Sequence, residues 1–130
     1  IYPFFDTTNS KKIFNTISII NNNSIRDLEI KTNKIIEPHR FRGNFYIEGL
    51  NPWEERNWLH KIIRINNISF KIENHISRCS ATNLQPNTDK VTINLPMTLK
   101  KYYNHIDMGL YLRPLENGEV NAGDRIFLNE

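Results

Sequence analysis

The chain has 130 residues, a net charge of +3 and a sequence pI near 9.1. Hydrophobic residues make up 38% and charged residues 24%, a globular composition with enough chain for one hydrophobic core, so a single domain over 1–130 is expected. The charge suits an anionic ligand but is too small and too evenly spread to argue for nucleic acid; no apolar run has the length of a membrane span and no signal peptide is visible. The single cysteine, Cys79, excludes an internal disulfide and fits a reducing compartment, so a cytoplasmic location is expected. The first residue is Ile1 and not methionine, and the start of the reading frame is expected to lie upstream.

Ile1–Phe5 is apolar and aromatic around Pro3, and the polar run Asp6–Lys12 reads as a loop. Ile13–Ile20, rich in β-branched residues, reads as a strand ended by Asn21–Asn23. Ser24, with Asp27 three residues on, reads as the N-cap of a short helix with Ile25, Leu28 and Lys31 along one face. Ile35 and Ile36 are expected to pack beneath it, and Pro38 marks its exit.

His39-Arg40-Phe41-Arg42-Gly43-Asn44 carries chemistry. On an extended chain Arg40 and Arg42 share a face, and guanidinium groups grip phosphate or carboxylate through a two-pronged fork. Gly43 would let backbone approach whatever Arg42 touches. The competing reading is a solvated basic strand edge.

Asn44–Glu48 reads as a strand with Phe45 and Ile47 opposite Tyr46. Gly49–Pro52 is a turn, and Trp53–Trp58 a helical turn whose tryptophans pack. Glu54 and Glu55 are read as solvent-facing or as partners of the helix dipole, because consecutive residues do not face each other on a helix. Ile62–Ile65 and Ile68–Ile72 alternate around Asn66-Asn67, a tight hairpin.

The second stretch with chemistry is Ser77-Arg78-Cys79-Ser80-Ala81-Thr82-Asn83, before a turn at Gln85–Thr88. Arg78 would favour thiolate over thiol at Cys79. Taken locally, the commoner fate of such a cysteine is inert, buried packing. His75, four residues earlier, shares a strand face but is too far along the chain for direct activation, and His39, His60, His75 and His105 show no zinc-ligand spacing with Cys79.

Val91–Asn94 reads as a short strand, and Pro96 opens a helix to Tyr103 with Leu99 and Tyr102 or Tyr103 inward. His105–Gly109 reads as a polar turn and Leu110–Leu112 as a strand. After a turn at Glu116–Glu119, Val120–Leu128 reads as strand, Gly-Asp turn, strand. Many short strands with few helices point to a mainly β barrel. No repeat, glycine-rich phosphate loop, nucleophile elbow or calcium loop is present.

In order along the chain, Arg40-Phe41-Arg42-Gly43-Asn44, Gly49, Trp53-Glu54-Glu55 through Trp58, Arg78-Cys79-Ser80-Ala81-Thr82-Asn83, Asp107-Met108-Gly109-Leu110-Tyr111, Gly118 and Gly123-Asp124 resemble a MOSC domain. This is the domain at the C-terminus of molybdenum cofactor sulfurases and in amidoxime-reducing proteins. The resemblance runs from about Ser24 to the end. It implies a MOSC-type β-barrel with short helices and a pterin-based molybdenum cofactor, molybdopterin. Cys79 matches the family's molybdenum ligand, Arg42 the second arginine that contacts the cofactor, and Tyr111 the tyrosine beside the site. Arg40, Asn44, Arg78, Thr82 and Asn83 complete the expected cofactor-binding set, Thr82 and Asn83 as residues that orient the ligand.

Several positions depart from the family pattern. Gly43 stands in place of proline, Gln85-Pro86-Asn87-Thr88-Asp89 in place of Asp-Pro-x-Thr-Gly, and Ile76 where some members carry a second cysteine. The family's N-terminal β-rich region, which carries further phosphate-binding residues, is expected to be absent or reduced to Ile1–Phe5.

Three readings follow. In the first, an oxidoreductase domain holds molybdenum through Cys79, reduces N-hydroxylated small molecules, and takes electrons from a ferredoxin- or cytochrome b5-like partner. In the second, Cys79 carries a persulfide as a sulfur carrier; family-level pyridoxal phosphate association belongs to this cofactor-handling context. In the third, the barrel is a binding module with an inert cysteine.

Overall fold

A computed structural model describes residues 2–3 and 17–129. Among the described residues the fold is mainly β with two helices. Strands β1 (Tyr2–Pro3), β2 (Ile17–Asn21), β3 (Phe45–Ile47), β4 (Ile62–Ile65), β5 (Ile68–Ser77), β6 (Asp107–Pro114), β7 (Glu119–Val120) and β8 (Ile126–Asn129) are joined by helices α1 (Asn22–Thr32) and α2 (Leu95–Tyr103). Six strands form one curled, half-barrel sheet in the order β3-β2-β6-β5-β4-β8, and β1 pairs with β7. Among the described strand pairs only β2–β3 is parallel, with α1 as the crossover. The expected loop at Asp6–Lys12 and the first half of the Ile13–Ile20 strand fall outside the described residues.

Every residue of β2 is buried, because the strand has a core on each face. On one face Ile17 and Ile19 join Phe45, Ile63, Phe70, Ile72, Leu110 and Leu112 inside the curl. On the other, Ile20 meets Ile25 and Leu28 of α1, Leu95 and Leu99 of α2, Phe41 and Met108. Ile36 joins this second core, but Ile35 is 82% exposed and packs under nothing.

The β4–β5 hairpin forms as expected, with Asn66 at φ 55° and Ile65 opposite Ile68. Its second strand runs on to Ser77, with register shifts between Ile72 and Asn74 and between His75 and Ser77. Cys79 lies beyond the end of this strand, outside the pleat that carries His75.

Four local expectations are corrected. The N-cap of α1 is Asn21, whose side chain accepts from the Asn23 amide, and Ser24 is buried inside the first turn. Pro38 opens a 3₁₀ turn over Pro38–Phe41 and does not lead into an extended chain. Val91 makes one isolated bridge to Leu84 in place of a strand. Asp107–Gly109 belongs to β6, where Met108 is buried, because the second core needs an apolar side chain there. Helix α2 begins at Leu95 behind an Asn94 cap and buries Leu99, with Tyr103 packed at the core's edge.

Candidate functional site

Cys79 leaves the end of β5 in extended conformation (φ −117°, ψ −177°) and is exposed. Its carbonyl accepts from the Thr82 amide at 3.2 Å and from Thr82 Oγ1 at 2.8 Å, which closes a 3₁₀ turn over Ser80–Asn83. Thr82 is buried, and Asn83 Oδ1 accepts from the Leu95 amide at 2.7 Å. Both residues therefore orient the cysteine by holding its turn against α2. The local expectation of a buried thiol is overturned, because β5 ends before the thiol and no apolar layer covers it.

Arg78 is half-buried, and its guanidinium is held by main-chain carbonyls. Its Nε and one terminal nitrogen donate to the Met108 carbonyl at 3.0 and 2.7 Å. The other terminal nitrogen donates to the Phe41 carbonyl at 3.0 Å. Burial lowers the pKa of Arg78, while Tyr111, Cys79 and Tyr46 lie near enough to favour its charged form. Tyr111 projects from the outer face of β6, exposed, opposite Asn74 on β5 and Ser18 on β2.

The turn that carries Arg40 and Arg42 packs against the Cys79 turn. Arg40 is buried and Arg42 exposed, so the two do not share an extended face. Arg42 takes the left-handed region (φ 50°) after the 3₁₀ turn, which throws its side chain outward. Its guanidinium has no hydrogen-bond partner among the described residues. With His39, Arg40, Ala81, Leu84 and Gln85–Thr88 it lines an open cleft of about 240 Å³. Gly43 is required by packing and not by approach to a ligand: a Cβ there would lie 2.5 Å from Ile20 Cγ1.

Asn44 is exposed but tied down. Its Oδ1 accepts from the Ser18 amide at 2.8 Å and the Ser18 hydroxyl at 3.1 Å. The Arg42 carbonyl, 3.3 Å from the same hydroxyl, shares its single proton. Cys79, Arg78 and Tyr111 thus share one corner, Arg42 stands on the neighbouring turn, and Ser18 links Asn44 to both. Ser18 escapes a motif search, yet one hydroxyl in the apolar run Ile17–Ile20 is a signal: a buried polar group needs a partner.

Around this corner the polar pairs have clear electrostatics. Asp107 accepts from Arg56 at 3.1 Å and Ser77 at 3.0 Å; burial works against its charge, but these bonds hold its pKa below the usual carboxylate range. His105 Nδ1 accepts the Asp107 amide at 2.9 Å, which requires that nitrogen unprotonated. Burial, then Arg56, lowers the pKa of both His75 and His105 from 6.5. A depressed folded pKa gives stability that is present above the unfolded value and lost as pH falls. The melting temperature is therefore expected to drop as pH falls below 6.5, and again below about 4 as Asp107 protonates. Thermal melts from pH 8 to 3 check this, and His105→Gln, which keeps an acceptor but cannot titrate, should shrink the first drop.

Comparison with known proteins decides the family. The MOSC domain model matches residues 7–127. The chain belongs to the MOSC domain family. A bovine (Bos taurus) protein named mitochondrial amidoxime reducing component 2 is 24% identical over 123 residues, covering 85% of this chain and 36% of the relative. The crystal structure of YiiM from Geobacillus stearothermophilus superposes with a TM-score of 0.66 at 18% identity, covering 88% of this MOSC domain and 54% of that chain. The likeness to YiiM concerns the fold. The chain spans about a third of the length of the bovine relative and about half that of YiiM. No helix among the described residues is long and apolar enough to cross a membrane.

Proposed function

We propose that this MOSC domain holds a pterin-based molybdenum cofactor, with Cys79 as the metal's protein ligand, in an oxidoreductase acting on N-hydroxylated small molecules. The observation that carries the reading is the exposed Cys79 thiol beside a turn whose Arg42 guanidinium is unpartnered among the described residues. The donor set fits the group. A thiolate is a soft ligand for a transition metal, and a free guanidinium fork suits a phosphate. When bound, the cofactor supplies the redox chemistry; the chain's residues hold and orient it. Cys79 offers the sulfur, Thr82 fixes its carbonyl, Arg42 faces the anion, and the Tyr111 hydroxyl stands at the rim. A small-molecule substrate, a ferredoxin- or cytochrome b5-like electron donor and a cytoplasmic location belong to the same proposal.

A second reading also draws on the exposure of Cys79, since a sulfur that is handed on must be reachable. Here Cys79 carries a persulfide and no metal is held. Molybdenum analysis and intact mass of protein made in cells with active cofactor synthesis separate the two. Stoichiometric molybdenum, lost in Cys79→Ala with the fold intact, is the expected result. A one-sulfur mass increase without metal supports the persulfide, and neither signal removes both readings.

A further inference from the structure

The two turns at the site exchange arginines. Arg40, on the first turn, is 6% exposed. One of its terminal nitrogens donates to the carbonyls of Thr82 at 3.3 Å and Asn83 at 3.0 Å, on the second turn. Its other terminal nitrogen donates to the Thr92 hydroxyl, and its Nε to Glu37 at 2.7 Å. Arg78, adjoining the second turn, reaches back to the Phe41 carbonyl at 3.0 Å and lies over the Phe41 ring at 5.3 Å. Phe41 immediately precedes Arg42, and Thr82 holds the carbonyl of Cys79. Each arginine therefore anchors the turn that carries the other's functional neighbour.

We propose that Arg40 and Arg78, whose guanidinium groups are taken up by protein partners, are positioning residues, a crossed clasp that sets the spacing between Cys79 and Arg42, and that Arg42 alone of the three has its guanidinium left over for the anion. What the clasp positions rests on the cofactor reading above; the clasp itself does not. Its physical basis is fork geometry. One buried guanidinium satisfies two carbonyls and a hydroxyl at once, which a single ammonium on a flexible stem cannot do. Carbonyls deprived of that donor are left unsatisfied, and the turns part.

Lysine substitution separates positioning from anion contact, because it keeps the charge and removes the fork. Amide hydrogen exchange is measured on the metal-free chain for wild type, Arg40→Lys, Arg40→Met, Arg78→Lys and the double lysine variant. Each single variant is expected to speed exchange in both the 40–46 and the 79–92 segments by about tenfold or more. Lysine and methionine at position 40 should behave alike, and the double variant should fall short of the product of the singles, as residues acting as one unit do. Unchanged exchange in the lysine variants, or change confined to the substituted segment, overturns the clasp. If a variant at position 40 or 78 does not fold, Thr92→Val removes one acceptor at an exposed position. It should speed exchange in both segments severalfold, and no change there also overturns the proposal. Molybdenum content is a separate readout: metal retained in folded lysine variants whose turns have loosened overturns the positioning role and not the cofactor reading, whereas loosened turns in a chain that never takes up metal overturn only the cofactor reading.

Discussion

Gly109→Ala is expected to destabilise the fold by about 3 kcal/mol or more, the sum of left-handed backbone strain and overpacking. Gly109 has φ +91°, and a Cβ there would lie 2.6 Å from Ile20 Cδ1 and 2.9 Å from the Ile19 carbonyl oxygen. The side-chain contact can relax by rotation. The carbonyl belongs to β2, a strand buried on both faces, and cannot move without shifting both cores. The same Cβ would meet a terminal nitrogen of Arg78 at 3.4 Å, so the substitution reaches the site as well as the sheet. Urea unfolding gives the stability change. A loss below about 1 kcal/mol would contradict so close an approach of β2 and β6.

The second large effect is expected at Glu55. This carboxylate is 2% exposed and ties three elements together. It accepts from Asn21 Nδ2 at 2.8 Å and from Ser24 Oγ at 2.9 Å, while Ser24 Oγ accepts the Trp53 amide at 2.8 Å. Burial raises its pKa against these bonds and the nearby Arg56. Glu55→Ala leaves a buried amide and a hydroxyl without their acceptor and opens a void, a loss of about 3 kcal/mol. Glu55→Gln keeps the shape and one acceptor and should cost about 1 kcal/mol. The sign of the pH effect is opposite to that of Asp107. A raised folded pKa gives stability that is fully present below the unfolded value and declines as pH rises through the folded one. Chemical denaturation of wild type and Glu55→Gln at pH 4 and pH 7 should therefore show the glutamine variant relatively better at pH 7.

These buried polar groups mark where sequence reading stops. Ile68, Phe70 and Ile72 alternate with Ser69 and Lys71, and the pattern alone gives the strand, its inward face and the hairpin. Glu55 carries no such pattern. Two adjacent glutamates at the start of a helical turn normally meet solvent, and only the packing of α1 over Trp53–Trp58 buries the second of them. Ser24 has the right neighbours for a cap, but Asn21 already sits at the strand's end with its side chain free to bond forward, so the helix starts earlier. The arginines fail for a related reason. Arg40 and Arg42 look equivalent in an extended chain, and a 3₁₀ turn with one left-handed residue sends one inward and the other to solvent. The family motif brings Cys79, Arg78 and Tyr111 to one corner, yet it does not distinguish residues that touch a ligand from residues that hold the scaffold.

The strand order also has a kinetic cost. Strand β2 finds its parallel partner across one helix, but its other edge waits for β6, with Ile17 opposite Leu112. On a ribosome that last neighbour is made only after β3, β4 and β5, so the middle of the sheet stays unzipped until β6 emerges. Joining strands so distant in sequence is slow, and meanwhile an apolar ribbon is open to stray pairing.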